Sequence, residues 1–179
     1  LELEKFLKKI DKADVPSNFT TFYNQNINDD ETINKKIKYN NKILHQSKLL
    51  NYFNGDYTKL KIEEDLNKFL NKIENDKKYF LSKKDIIFLE ALKSDGIEIS
   101  EKYENLYEIN KSEMPSDIQR MVDNKEIGAA LLRIIEVIGS KKIENIDEDK
   151  VYFIINTLSQ LNADLIRNKL LLKVLPFKV

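Results

Sequence analysis

A chain of 179 residues with 41% apolar residues is long enough to bury a core of its own, so a wholly disordered protein is excluded. Thirty basic residues balance thirty acidic ones, which removes any whole-chain field that would draw a polyanion or an acidic membrane surface. The absence of cysteine excludes disulfide frameworks, thiolate metal sites and cysteine nucleophiles, and is compatible with either side of a membrane.

The chain opens on "LELEKFLKKI" without an initiator methionine, as expected of a processed chain, exported after loss of a signal peptide, or of a piece of a longer one. Residues 1–30 read as a partly irregular arm, with "DKADVPSNFTTFYNQNINDD" lacking periodicity. A helical half is expected over 31–96. Its first helix, roughly 31 to 53, places Ile33, Ile37 and Leu44 on one face. A second, roughly 57 to 75, aligns Leu66, Phe69, Leu70 and Ile73, and a short third, roughly 83 to 94, is expected to follow a cap at Ser82. Gly55 and Gly96 stand where helices end in a left-handed residue.

Residues 97–113 carry no helical stripe and read as a connector to a second helical half, 114–179, packed on the first as one domain. Pro115 precedes "SDIQ", a Ser-x-x-Gln capping box formed by Ser116 and Gln119. Ile127, Leu131, Ile135 and Ile138 predict a helix over roughly 125 to 138, closed by Gly139. Asp147 is expected to cap a helix of roughly 148 to 161 that carries Ile154, Leu158 and Leu161 on one face. The last helix, roughly 163 to 175, is apolar nearly all round and is expected to be enclosed by its neighbours. Nowhere is there an apolar run long enough for a membrane span.

The expected fold is therefore all-α: antiparallel helical hairpins forming a compact bundle or a short α-solenoid. The tail "NTLSQLNADLIRNKLLLKVL" resembles the second half of a tetratricopeptide hairpin, without that family's Trp-Leu-Gly-Tyr signature or repeat period. The resemblance implies a helical-hairpin architecture and no particular activity.

Gly128, in "KEIGAALLRIIEVIGS", lies inside a predicted helix, where glycine costs about 1 kcal/mol relative to alanine. With Ala129 and Ala130 beside it, the expectation is close approach of another helix to its backbone. A phosphate cradle is the weaker reading, because neither the companion glycines nor a preceding strand is present.

Chemistry is sparse. His45 is the single histidine, with no Glu beside it in a zinc-hydrolase pattern, and no Gly-x-Ser-x-Gly marks a nucleophile. Paired carboxylates such as Glu63 and Glu64 are too common here to single out an acid and a base. "IDEDKVYF" lacks the glycine and distal glutamate of a calcium loop. No catalytic residue, metal ligand or cofactor is assigned.

The least bland feature is basic. No acid occurs between Thr32 and Gly55, and on a continuous helix Lys35, Lys38, Lys42 and His45 fall within an arc of roughly 80°, opposite Ile33, Ile37 and Leu44. Such a strip would meet phosphate or an acidic partner, or lie against residues 95–117, which hold seven acids and two lysines. It contains no arginine and no aromatic row, so a solvated face is the simpler reading. Only three arginines occur among 30 basic residues. Of these, Arg133 is expected to form an interhelix ion pair or to contact a partner, since its planar fork does what an ammonium cannot.

The expected function is a non-catalytic helical domain for protein–protein interaction or scaffolding. The alternatives are a nucleic-acid or anion binder using the lysine-rich face, and the helical part of an enzyme whose carboxylate acid and base the sequence does not single out.

Overall fold

Local chemistry sets most element boundaries in the computed structural model, which describes residues 37–76, 78–100, 115–139 and 145–176. Two short 3-10 segments, Leu44–Gln46 and Lys48–Asn54, precede six α-helices: α1 (Lys59–Glu74), α2 (Lys83–Ser94), α3 (Ser116–Asp123), α4 (Ile127–Ile138), α5 (Glu148–Gln160) and α6 (Asp164–Val174). No strand occurs among the described residues, so the chain is all-α there. The arm 1–30 and nearly all of the connector expected at 97–113 lie outside the described residues.

The continuous helix expected over 31–53 is not what forms in its described part. Residues 37–43 have no helical turn, and 3-10 geometry begins at Leu44. Asparagine and serine side chains compete with the helix for backbone partners. Asn40 Oδ1 accepts from the Lys42 N–H at 3.0 Å, Asn41 Oδ1 accepts from the Lys48 N–H at 3.1 Å, and Ser47 caps the second 3-10 segment. That segment still buries Leu49, Leu50 and Phe53 before Gly55, at φ 85°, turns the chain with a left-handed residue that L side chains resist.

α1 follows from Thr58, whose hydroxyl accepts from the Lys61 N–H, and from Ile62, Leu66, Leu70 and Ile73, all buried on one stripe. α2 starts at a full capping box: Ser82 Oγ accepts from the Asp85 N–H while the Asp85 carboxylate accepts from the Ser82 N–H. It buries Ile87, Phe88, Leu89, Ala91 and Leu92, more than one stripe requires, because it is central. α5 packs along one side of α2, the first 3-10 segment packs on it as well, and the Phe88 ring meets Phe53 edge to face at 5.7 Å. α6 packs on both α5 and the second 3-10 segment, and α4 packs mainly on α3. The residues from Lys38 onward form one compact unit.

Three further expectations are corrected. Pro115, with Ser116 as the first helical residue, precedes α3, and no side chain caps it; Gln119 donates instead to Asp123. Gly128 is exposed, and a Cβ built on it would meet no atom within 4 Å, so no neighbouring helix approaches it. Enclosure of the last helix holds for one face only: Arg167, Leu170, Leu171, Val174 and Leu175 are buried, whereas Leu165 and Ile166 are 70% and 50% exposed. The latter two lie on the opposite face of α6, turned away from α5 and the 3-10 segment that cover the stripe through Arg167, Leu171 and Val174.

Candidate functional site

The described polar chemistry gathers in two buried centres, one at each end of α2. At its N-terminus the Asp85 carboxylate accepts five hydrogen bonds. Oδ1 receives the His45 N–H at 2.9 Å and His45 Nδ1 at 2.7 Å; Oδ2 receives the Ser82 N–H at 2.9 Å, Ser82 Oγ at 2.9 Å and the Tyr79 hydroxyl at 3.3 Å. Burial opposes ionisation of Asp85, but the donors from His45 and Ser82 together outweigh it and hold its carboxyl below the usual range. The start of α2 adds a favourable dipole. Tyr79 takes the Leu44 N–H at 2.8 Å in turn, and burial pushes its hydroxyl up to about 12.

Serine, histidine and aspartate thus stand together, but not as a nucleophilic triad. A triad places the serine on one imidazole nitrogen and the acid on the other. Here Ser82 Oγ, at 3.3 Å, and Asp85 Oδ1 share Nδ1, while Nε2 faces the Gln46 amide nitrogen at 3.2 Å. An amide nitrogen only donates, so Nε2 accepts and Nδ1 carries the ring proton toward the carboxylate. The ring therefore has no lone pair facing Ser82. The centre fastens the 3-10 segment to α2.

The second centre is Arg167, 1% exposed. Its Nη2 donates to Asp95 at 2.7 Å, Nη1 to Ser94 at 2.9 Å and Ser159 at 3.3 Å, and Nε to Asn168 at 3.1 Å; Asp164 lies 3.2 Å from Nη1. One guanidinium thereby ties the C-terminus of α2 to α5 and α6, using a fork that lysine lacks. Burial, with Asp95 beside it, raises the Tyr52 hydroxyl to about 12. Along the same α2–α5 seam runs a groove of ≈ 250 Å³ floored by Ile87, Ala91 and Ile155 and rimmed by Glu90, Lys93 and Asn156. Glu90 and Lys93 pair with one another there at 3.9 Å.

The sequence-derived strip is not assembled as one face. Lys35 lies outside the described residues, Lys38 and Lys42 are exposed on non-helical backbone, and His45 is buried against Asp85. The 100° spacing that grouped them applies only to a helix, and residues 37–43 form none. Arg133 donates from Nε to Asp117 of α3 at 3.0 Å and from Nη1 to Glu136 at 2.8 Å, spanning α3 and α4. Asp85 and Arg167 are the residues that sequence reasoning passed over. The available signals were the Ser82-x-x-Asp85 capping pattern and an arginine, in a lysine-rich chain, among the large apolar residues of the last helix.

The remaining feature is apolar. On α4, Ala130 and Ile134 face inward, while Ile127, Leu132 and Ile135 are 47%, 66% and 49% exposed. They share an arc of roughly 140° with Gly128 and with Leu131 and Ile138, which are half-buried and pack against the core at its edge. Among the described residues, no group of three or more His, Asp or Glu is placed to hold a metal ion, and no helix is long and apolar enough to cross a membrane. Comparison with family models, with curated proteins and with solved structures finds no match to this chain. What fold and surface define together, among the described residues, is an all-α domain with saturated polar centres and three exposed large apolar side chains on one helix.

Proposed function

We propose that the domain acts by binding protein through the outer face of α4, without chemistry of its own. The supporting observation is the exposure of Ile127, Leu132 and Ile135 on one helix whose opposite side is anchored to α3 by the Arg133–Asp117 pair. Burying large side chains of this kind stabilises a complex by roughly 25 cal/mol per Å² of apolar surface removed from water, before the costs of association. The buried polar centres offer less: Asp85 is occupied by five donors, and each Arg167 nitrogen already has an acceptor. The nucleic-acid alternative is left with Lys38 and Lys42, which no longer share a helix face with His45.

A photo-activated cross-linking residue at Leu132 tests the reading. It should form a protein adduct that Ile135→Glu abolishes, while the same probe at Glu64, exposed on α1, forms none. Equal labelling from the two positions, or labelling insensitive to Ile135→Glu, would overturn it.

A further inference from the structure

Phe80, in the loop between α1 and α2, is the most exposed large apolar side chain among the described residues, at 83%. The loop is not free to bury it. Its neighbours Tyr79 and Leu81 both pack on the core, and the Tyr79 hydroxyl accepts the Leu44 N–H at 2.8 Å and donates to Asp85 at 3.3 Å. With both neighbours turned inward, the ring between them is held out in solvent. The same bonds draw a lysine-rich segment to the loop. Residues 38–50 hold three lysines and no acid. Lys42 stands two residues before Leu44, and the Lys48 N–H, donating to Asn41 Oδ1 at 3.1 Å, folds Lys48 back beside it. Lys78 adjoins Tyr79, and all three lysines are exposed. The acids at this end are Glu74 and Asp76 where α1 closes, Asp149, with which Lys83 pairs at 2.7 Å, and the buried Asp85.

We infer that this end of the domain docks on the surface of an anionic phospholipid bilayer, with the Phe80 ring at the boundary of headgroups and acyl chains and Lys42, Lys48 and Lys78 among the headgroups. The inference is independent of the α4 reading. Charge complementarity carries it together with the held-out ring: the chain as a whole is neutral, so the attraction comes from this local excess and acts only within a Debye length of the surface. Only the ring leaves water, because loop N–H and C=O groups find no partner in hydrocarbon. Lysine suits the position, since its stem lies along the boundary while the ammonium stays among phosphates. Single-stranded nucleic acid fits less well. It is held by successive stacking aromatics and by bidentate arginine, and residues 38–50 and 76–84 contain no arginine, with Phe80 the one ring held out in the loop. One ring and three charges make a reversible contact, not an anchor.

The chain contains no tryptophan, so Phe80→Trp supplies a single fluorescent reporter at the proposed contact. With vesicles of phosphatidylcholine containing about one third phosphatidylserine, its emission should shift to the blue and be quenched by brominated acyl chains; pure phosphatidylcholine or high salt should largely abolish the shift. In co-sedimentation of the full chain with the anionic vesicles, Phe80→Ser should lower partitioning by about tenfold, and Lys42→Gln combined with Lys78→Gln by about tenfold or more. All three side chains are exposed, so the melting temperature should not change. Leu60→Ser, exposed at the other end of α1, should partition as wild type does. Absence of the blue shift, equal partitioning onto neutral and anionic vesicles, or a Phe80→Ser chain that partitions normally would overturn the inference. So would a reporter that a single-stranded oligonucleotide quenches and anionic vesicles leave unchanged, which would assign the surface to nucleic acid instead.

Discussion

His45 and Asp85, 40 residues apart, are joined twice: the backbone N–H and the ring Nδ1 of His45 converge on one oxygen of Asp85, at 2.9 and 2.7 Å. The pairing makes Asp85 the residue on which the 3-10 segment, Tyr79 and the start of α2 all depend. Asp85→Ala would remove the capping box and leave several buried donors without an acceptor. A loss of about 3 kcal/mol is expected by urea unfolding. A change under about 1 kcal/mol would show that water replaces the carboxylate.

Acid stability should carry the signature of the same carboxylate. Its folded pKa is depressed, so below the unfolded value of about 3.9 the unfolded chain takes up protons more readily than the folded one. The stabilisation is complete above that value and is lost as pH falls through the folded pKa. Asp85→Asn should flatten the acid limb of a pH–stability curve; an unchanged limb would assign it to other carboxylates.

At the alkaline end the sign reverses. Tyr52 and Tyr79 are raised from 10.0 to about 12, so they favour the fold fully below 10 and cease to do so as pH climbs through 12. Tyrosinate absorbance should place Tyr52 and Tyr79 among the late-titrating hydroxyls. Tyr79→Phe should remove one of them and reduce the alkaline loss of stability, at the expense of the acceptor for the Leu44 N–H.

Arg167 should not tolerate its nominally conservative replacement. Lysine reaches one of the acceptors held by the guanidinium and leaves the others buried, so Arg167→Lys is expected to destabilise by about 2 kcal/mol and Arg167→Ala by about 3–5 kcal/mol. Thermal melts of the two variants check the order; a lysine variant as stable as wild type would mean that Asp95 alone accounts for the contact.

The turn from α3 to α4 holds its glycine and its left-handed residue at different places. Lys125 adopts φ 58°, where glycine is favoured, and Gly128 adopts ordinary helical backbone with room for a side chain. Lys125→Gly and Gly128→Ala should each stabilise the fold, by about 1 kcal/mol and up to about 1 kcal/mol respectively, in urea unfolding. Destabilisation by Gly128→Ala would restore a packing role within one copy.

Burial on α6 divides by face. Leu171, fully buried, should lose about 3 kcal/mol on change to alanine, whereas Leu165→Ala should stay within about 0.5 kcal/mol in chemical denaturation. Equal effects would indicate that the outer face is also covered.

Most of the helices were legible from local signals. Ser82 and Asp147 cap where they should, the stripe through Leu66, Leu70 and Ile73 is buried, and Gly55, Gly96 and Gly139 adopt positive φ. Caps and periodic stripes are properties of a few neighbouring residues, so the sequence by itself determined them, and with them the all-α class. Tertiary structure decided the rest. The spacing of Ile33, Ile37 and Leu44 fits a long helix, yet Asn40, Asn41 and Ser47 draw the backbone into other hydrogen bonds where it was described. That change moves His45 from an expected basic face to a buried one. Its partner Asp85 stands on another element, as do the partners of Arg167 on α2, and no periodicity records a contact between residues 40 or 72 apart. Gly128 was misread for the complementary reason: a small residue permits close approach, and only the positions of the other helices determine whether one comes.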